Sequence, residues 1–387
     1  MIINKSNRLK KLVAFFRDHG PILAITLYLA IRLLGIIELW IMSKLRHRNF
    51  FTIFARWDAQ WYQSIASHGY GYQVVLGKRV LSNEAFFPLF PFAEKLVHLI
   101  TTLDYINSGI LVSWLCGIWA AAMIYLVVEK LARTEIAVLS VLLWSMYPIS
   151  YVDTLAYSET LFTALVATGL YCAQKSWLKL SALCALLAGL TRPTGLALAA
   201  AIALPVIHEL ITEPKSRRSF SRYFAVVISG VGWLAYVLYL ALKNHDLFSY
   251  MKIQRNFGNG LDGGKHFALW LMDFLLSKNW YIGLLIICGC IGLICLLVQL
   301  FKVTHISQSS LNAQILIFTT TIMVLAFVTS GYFGSKPRYL LPAFPLMIPI
   351  ALMIQRLKRG YQILIYVVLT LCGLTYGAFA ATGNGPP

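Results

Sequence analysis

The chain alternates between long runs of apolar residues and shorter polar segments over almost its whole length. The first run covers residues 21–42, enough for a helix that crosses about 30 Å of hydrocarbon. Backbone amides and carbonyls find no water in the hydrocarbon core, so apolar runs of this length are expected to be helical. Counting such runs predicts about eleven transmembrane helices. The later runs are 109–128, 136–150, 159–174, 178–190, 195–211, 223–242, 281–301, 313–333, 339–354 and 363–381.

Two polar segments are longer than the other connections, and they cover residues 43–108 and 243–279. The stretch 86–100 within the first segment is apolar but contains Pro88 and Glu94. A helix with this mixture is predicted to lie in the membrane interface rather than to cross the bilayer. The glycine-rich part of the second segment lacks the strand and helix that flank a dinucleotide-binding loop. We therefore expect a flexible external loop there.

The composition agrees with a membrane protein. Hydrophobic residues make up 59% of the 387 residues and charged residues 12%, with a mean hydropathy of +0.71. A soluble protein needs more polar residues than this to cover its surface. No remaining stretch is long enough for a sizeable soluble domain. The predicted fold class is therefore an all-α integral membrane protein, with residues 1–387 forming a single polytopic domain.

The formal net charge is +18, and most lysine and arginine residues lie in short connections between the apolar runs. This pattern is typical of positive-inside topology and of contact with anionic lipid, and it differs from the clustered basic face of a nucleic-acid-binding protein. Basic residues precede the first run, so the N-terminus is expected in the cytoplasm. Alternating the spans from there places both long polar segments outside. Membrane lipid is expected as a partner, and nucleic acid is not.

The densest cluster of polar and aromatic residues is Arg56-Trp57-Asp58, followed by Trp61 and Tyr62. If the segment that begins at Asp58 is helical, Asp58, Trp61 and Tyr62 share one face. A carboxylate beside flat rings suits a sugar, since the rings cover C–H faces while the acid contacts a hydroxyl. The alternative is an interfacial aromatic belt in which Asp58 only caps a helix.

Three basic residues lie at breaks next to spans on the predicted outer side, namely Arg192, Lys336 and Arg338. Basic residues are uncommon on that side, and anion binding is one reason to retain them. Arg192 precedes Pro193, which suits the first turn of a helix, and helix N-termini bind anions. The alternative is that these side chains extend to lipid headgroups. Glu159, at the start of a span, is either a substrate ligand or a charge partner of the helix dipole.

Five short motifs follow one another between about Phe54 and Pro345. They are Arg56-Trp57-Asp58 with Trp61-Tyr62 and Gly69-Tyr70, Ala85-Phe86-Phe87-Pro88-Leu89-Phe90-Pro91, Tyr157-Ser158-Glu159, Leu190-Thr191-Arg192-Pro193-Thr194-Gly195, and Lys336-Pro337-Arg338-Tyr339-Leu340-Leu341-Pro342. In this order they resemble the PIG-V family, the second mannosyltransferase of GPI-anchor synthesis, and its prokaryotic relatives. The first and fourth motifs are the specific ones.

The resemblance implies the GT-C fold, a multi-span bundle whose first external loop carries a catalytic acid. Carried over to this chain, Asp58 is the counterpart of that acid. Sugar transfer also needs a base for the proton of the acceptor hydroxyl, and Asp58 is expected to be the general base of a single displacement. The implied substrate-binding residues are Arg56, Trp57, Trp61, Tyr62, Glu159, Arg192, Lys336, Arg338 and Tyr339. This loop offers only one acid for that role, and one carboxylate is a poor cage for a divalent ion, so neither a metal nor another cofactor is expected.

The resemblance also implies the substrates. The donor is expected to be a polyprenyl- or dolichyl-phosphate sugar, with mannose indicated by the family alone. The acceptor is a glycan, lipid or protein on the extracytoplasmic or lumenal side, at the inner (cell) membrane of a prokaryote or the endoplasmic reticulum of a eukaryote. Two alternatives stay open: another hexose or pentose as the sugar, and a transporter or flippase of a lipid-linked anion. Transporters place essential charges near the bilayer midplane, whereas here they gather at the outer ends of spans.

Cysteines introduced at Gly71 and Gly263 test the predicted topology. Both positions belong to the long polar segments, so both thiols should react in intact cells with a membrane-impermeant reagent applied from outside. The unsubstituted protein is the control for the seven native cysteines. Labelling of both positions only after lysis would reverse the orientation and move the candidate site to the cytoplasmic side.

Overall fold

The structure, a computed structural model, describes residues 2–214, 218–306, 311–331 and 335–383. Within these residues the chain forms seventeen α-helices, several 3-10 turns and one two-stranded hairpin. The predicted all-α membrane fold is confirmed. The hairpin, in the first long polar segment, was not predicted. Residues 332 and 333, at the end of the predicted span 313–333, lie outside the described residues.

The helices are α1 (Ile2–Leu45), α2 (Phe50–Ile53), α3 (Asp58–His68), α4 (Leu89–Thr101), α5 (Tyr105–Glu129), α6 (Thr134–Ser145), α7 (Glu159–Gln174), α8 (Leu178–Thr191), α9 (Leu196–Thr212), α10 (Phe220–Lys243), α11 (Ser249–Asn256), α12 (Lys265–Leu275), α13 (Trp280–Ile306), α14 (Leu311–Val328), α15 (Lys336–Tyr339), α16 (Met347–Gln355) and α17 (Arg359–Thr382). The strands β1 (Gln73–Leu76) and β2 (Arg79–Ser82) pair antiparallel, with Val75 opposite Val80.

Among the described residues, six helical segments are long and apolar enough to cross a membrane, and a bent pair makes a seventh if it counts as one span. The six are His19–Leu45, Tyr105–Glu129, Pro193–Thr212, Phe220–Lys243, Trp280–Thr304 and Arg359–Thr382. Three shorter apolar helices accompany them, covering Leu178–Thr191, Asn312–Val328 and Phe344–Gln355. Each predicted apolar run therefore contains a helix. The number of spans, about eleven, stays a prediction.

The predicted span 136–150 is wrong as a single straight helix. α6 ends at Ser145, and the chain continues after a bend of 81° as the 3-10 turn Pro148–Thr154. The proline that opens the turn has no amide hydrogen to donate. Arg32, buried in α1, donates hydrogen bonds to the carbonyl oxygens of Ser145 and Ser150, which the bend leaves without helical partners. The bend therefore depends on an arginine in the first span.

α4 supplies a helix in the stretch 86–100, and its position in the membrane interface stays a prediction. One face carries the exposed side chains of Phe92 and Leu99, and the opposite face buries Glu94. Burial, with a smaller contribution from Asp104, raises the pKa of Glu94 to about 9. The buried carboxyl group is therefore neutral at pH 7, and α4 combines an apolar outer face with an inner face that packs against α5.

α8 and α10 cross with their backbones in contact. A side-chain carbon added at Gly232 would lie 1.9 Å from the carbonyl oxygen of Leu186. One added at Gly189 would lie 2.7 Å from the amide nitrogen of Trp233. Helices approach this closely only where small residues face each other. Since Arg192 directly follows α8, this crossing sets the position of Arg192.

Gly232→Ala should destabilise the protein, because the added methyl group separates α8 from α10. Overpacking of this kind costs about 1–3 kcal/mol. Thermal unfolding in detergent measures the effect. Gly230→Ala is the matched control, since this glycine lies on the same helix and a carbon added there has no neighbour within 4 Å. Equal melting temperatures for the two variants would contradict the close crossing.

Candidate active site

Asp58 is the first residue of α3, so the condition under which Asp58, Trp61 and Tyr62 share one helix face is met. Its side chain is 24% exposed, and its Oδ2 atom accepts a hydrogen bond from Arg338 Nη2 at 2.7 Å. The main-chain amide of Asp58 donates to the hydroxyl of Tyr157 at 3.3 Å. Asp58 is therefore held through both its backbone and its carboxylate.

The backbone just before Asp58 is strained. Trp57 has φ 54° and ψ −118°, values typical of the first central position of a type II′ turn. The amide of Ala59 closes this turn on the carbonyl of Arg56 at 3.3 Å. Glycine dominates that position because a side chain there meets the backbone, and such a conformation costs about 1–3 kcal/mol in other residues. The fold maintains this strain directly beside the candidate acid.

Glu159 joins the two arginines of the site. Its side chain is 2% exposed, and its Oε1 atom accepts hydrogen bonds from Arg192 Nη1 at 2.6 Å and Arg338 Nε at 2.8 Å, with a third from Arg338 Nη2. Arg192 Nη1 also donates to Ser158 Oγ at 3.2 Å, and that oxygen lies 2.8 Å from the Tyr62 hydroxyl. Neither arginine extends away from the bundle. Both turn inward to one buried carboxylate.

These four charged groups balance one another. Asp58 and Glu159 each carry a formal negative charge, and Arg192 and Arg338 each carry a positive one. Burial alone would lower the pKa of Arg338, but Glu159 and Asp58 raise it well above its usual range. Buried charges are tolerated when they are paired in this way. The arginines therefore stay charged and positioned before any substrate arrives.

A cavity of about 230 Å³, open to the outside, lies over this cluster. Asp58, Arg192 and Arg338 line it together with Tyr62 and Tyr339. An anion that entered would meet two guanidinium groups, and a hydroxyl group beside it would meet the carboxylate. The cavity thus brings together five of the residues that the sequence singled out.

Aromatic rings form one wall of the cavity. Phe86 and Phe257 line it directly, and their ring centroids lie 5.8 Å apart. Trp61 stacks behind Phe86 at 5.8 Å and meets Phe257 edge-on at 5.7 Å. The wall joins the first long polar segment to the second. Phe257 had no signal of its own in the sequence apart from the glycines beside it.

Two amide side chains from the same region were also missed. Gln254 and Asn259 line the cavity, and Asn259 Nδ2 donates to Gln254 Oε1 at 3.0 Å. Gln254 in turn donates to the carbonyl of Ala85 at 2.9 Å. Neutral amides have spare donor and acceptor capacity that suits sugar hydroxyls. α11 and these bonds therefore place the start of the glycine-rich segment at the cavity, and the flexibility expected of that segment stays a prediction.

Five of the predicted site residues are not among the side chains that line the cavity, namely Arg56, Trp57, Trp61, Glu159 and Lys336. Glu159 is connected to the cavity through its bonds to Arg192 and Arg338, which do line it. Lys336 donates to the carbonyl and, at 2.8 Å, to the hydroxyl of Thr329. A substrate contact by Arg56, Trp57, Trp61 or Lys336 stays a prediction.

No group of three or more His, Cys, Asp or Glu side chains within the described ranges is arranged to hold a metal ion. The two acids of the site are instead paired with arginines. A divalent cation would have to compete with both guanidinium groups for these oxygens. The donor set therefore suits an anion better than a cation.

Comparison with known proteins adds three findings. The family described as mannosyltransferase (PIG-V) matches residues 39–288. The chain is similar in fold to ArnT from Cupriavidus metallidurans bound to undecaprenyl phosphate, with a TM-score of 0.56 and 14% identity over 90% of this chain and 63% of that one. It is also similar to the oligosaccharyltransferase AglB from Archaeoglobus fulgidus in complex with an inhibitory peptide and a dolichol-phosphate, with a TM-score of 0.51 and 11% identity over 93% and 56% of the two chains.

The chain spans about three-fifths of the length of these two solved proteins, since it covers 63% and 56% of them. No curated protein sequence matches it. At identities of 14% and 11%, the structural likeness establishes the fold alone.

Glu159→Gln should destabilise the protein, because two buried guanidinium groups would lose their shared negative charge. Breaking a buried pair costs about 3–5 kcal/mol. Thermal unfolding measures the loss, and added inorganic phosphate should restore more stability to the variant than to the parent, since an anion replaces the lost charge.

Glu209→Gln is the control for the Glu159 variant. Glu209 accepts from Arg222 at 2.9 Å, but both side chains are partly exposed, so the effect should be about 0–1 kcal/mol. A Glu159 variant no less stable than the control would contradict the central role of this carboxylate.

Proposed function

This chain belongs to the mannosyltransferase (PIG-V) family, and from that premise we propose that it transfers one mannose from a lipid-phosphate carrier to an acceptor hydroxyl at the cavity over Asp58. The observation that carries the proposal is the pair of arginines beside a carboxylate on one cavity surface. A lipid-phosphate sugar presents a phosphate and a sugar in adjacent positions. The arginines fit the phosphate, and the aromatic and amide walls fit the sugar.

The reaction is a single displacement. The acceptor oxygen forms a bond to the anomeric carbon of the sugar while the bond from that carbon to the phosphate oxygen breaks. Asp58 takes the proton of the acceptor hydroxyl. The departing carrier phosphate gains one negative charge, which Arg192 and Arg338 stabilise. Asp58 becomes neutral as the phosphate gains charge, so the total charge in the cavity is unchanged.

Lipid-linked phosphate is the favoured donor class for two reasons. Two solved proteins of similar fold hold undecaprenyl phosphate and a dolichol-phosphate. The cavity adjoins the ends of two apolar helices, since Thr191 ends α8 and Pro193 begins an apolar span. A carrier whose chain lies in the bilayer can therefore present its phosphate to the arginines without leaving the membrane. Mannose follows from the family alone, and the acceptor is a glycan, lipid or protein with a free hydroxyl.

The site is proposed to face the extracytoplasmic or lumenal side. Asp58 follows the end of α1, Glu159 begins α7, and Arg192 follows α8, so the site collects on one end of the bundle. Basic residues such as Lys130 and Arg356 lie in connections at the opposite helix ends. The positive-inside rule assigns those connections to the cytoplasm.

The chemistry is proposed to need no metal. In many transfers a divalent ion compensates the leaving phosphate. Here two guanidinium groups occupy that role at a site whose carboxylates are already paired. Their positions are fixed in advance by Glu159, which reduces the reorganisation needed when charge develops.

Asp58→Asn tests the proposed base. Asparagine keeps the size and can still accept a hydrogen bond from Arg338, but its amide cannot take a proton from a hydroxyl. Sugar transfer from a labelled polyprenyl-phosphate donor should fall by roughly 10²–10⁴-fold, while the variant stays folded and binds undecaprenyl phosphate.

Asp246→Asn is the matched control for this substitution. Asp246 is similarly exposed, at 28% of its side chain, and pairs with Lys252 at 2.6 Å away from the cavity. It should keep parental turnover. Near-parental turnover in Asp58→Asn would remove Asp58 from the chemistry.

A further inference from the structure

The strained turn at Trp57 requires a force that keeps it in place. Without stabilising contacts, the backbone of Trp57 would relax from φ 54° to a negative φ. Asp58, the first residue of α3, would move with it. The side chain of Trp57 is only partly buried against the core. The neighbouring residue, Arg56, supplies the contacts that hold the turn.

Arg56 contacts the turn from one side and the end of α17 from the other. Its guanidinium carbon lies 4.1 Å from the centre of the Trp57 ring. Its Nη1 atom donates to the carbonyl of Ala381 at 3.1 Å, and its Nη2 atom donates to the carbonyl of Gly383 at 2.8 Å. The last carbonyls of a helix lack helical partners and carry partial negative charge, which suits a cation.

The main chain of Arg56 is held as well. Its carbonyl oxygen accepts from the Tyr157 hydroxyl at 3.4 Å and from the amide of Ala59 at 3.3 Å. The same Tyr157 hydroxyl accepts from the amide of Asp58. Arg56 is thus linked to both ends of the turn that presents Asp58 to the cavity.

We propose that Arg56 is a positioning residue for Asp58, which it fixes by anchoring the strained Trp57 turn to the carbonyl end of α17. This role rests on the proposed function of Asp58 as the base. The guanidinium group is occupied by the ring and by two carbonyls, and it lies outside the cavity lining. Arg56 therefore acts on the reaction through the position of Asp58 and not through the phosphate.

Arg56→Ala distinguishes a positioning role from a phosphate-binding role when turnover and donor binding are measured on the same purified protein. Turnover should fall by about 10- to 100-fold, since displacement of a reacting group by about 1 Å has an effect of this size. The affinity for undecaprenyl phosphate should stay within about twofold of the parent, because both phosphate-facing arginines remain. Arg56→Lys keeps the charge but lacks the flat fork, so its loss of turnover should be intermediate.

Arg46→Ala is the matched control. Arg46 also stacks on an aromatic ring, that of Phe379 at 3.8 Å, and donates to the carbonyl of Phe379 at 3.2 Å near the same end of α17. It has no contact with the turn at Trp57 among those the structure gives. Its removal should leave turnover close to that of the parent.

Three results would overturn the proposal. A parallel loss of donor affinity in Arg56→Ala would make Arg56 a substrate ligand. An equal loss of turnover in Arg46→Ala would show that Arg56 only attaches α17 and has no specific effect on the turn at Trp57. The third readout needs no activity: in an experimental structure of Arg56→Ala, or of Arg56→Lys if alanine prevents folding, the Asp58 carboxylate should leave its 2.7 Å contact with Arg338. An unchanged contact in the variant would overturn the proposal. If Asp58 is displaced in the variant but the parent protein transfers no sugar, only the proposed function is overturned.

Discussion

The buried carboxylate of Glu159 is the interaction on which the candidate site depends, because it holds two guanidinium groups at once. Those groups come from distant parts of the chain, Arg192 between α8 and α9 and Arg338 in α15. Arg338 also reaches Asp58 at the start of α3. Unpaired charges are costly in a buried site. The four segments that carry these charged side chains therefore stabilise one another when they meet. One negative charge thus organises this end of the bundle.

The same charge balance lets the cluster respond to a substrate. A carrier phosphate adds negative charge next to Arg338, which already contacts Asp58. In the proposed reaction, Asp58 no longer needs Arg338 as a partner once it has accepted a proton, and the departing phosphate needs that charge more. A single arginine can therefore move from the carboxylate to the phosphate as the reaction proceeds, without leaving an unpaired charge. Positioning, charge compensation and proton transfer then depend on one set of contacts.

The sequence predicted the helices well, because lipid forces each long apolar run to satisfy its own hydrogen bonds. It placed Asp58, Trp61 and Tyr62 on one face on the condition that a helix begins at Asp58, and α3 begins there. It could not predict the shared pairing at Glu159, because partners far apart in sequence leave no local pattern. The bend after Ser145 depends on Arg32 from another helix. The turn at Trp57 lacks the glycine that normally marks such a conformation.

The most direct measurement is sugar transfer by the purified protein in lipid nanodiscs, with radiolabelled mannose supplied either on polyprenyl phosphate or on a nucleotide, and with the native membrane lipid and glycan fraction as acceptor. A site built from two inward-facing arginines beside an acid, at the ends of apolar helices, predicts incorporation from the lipid-phosphate donor and none from the nucleotide donor. Incorporation from the nucleotide sugar alone, or no incorporation from the lipid-phosphate donor, would contradict it.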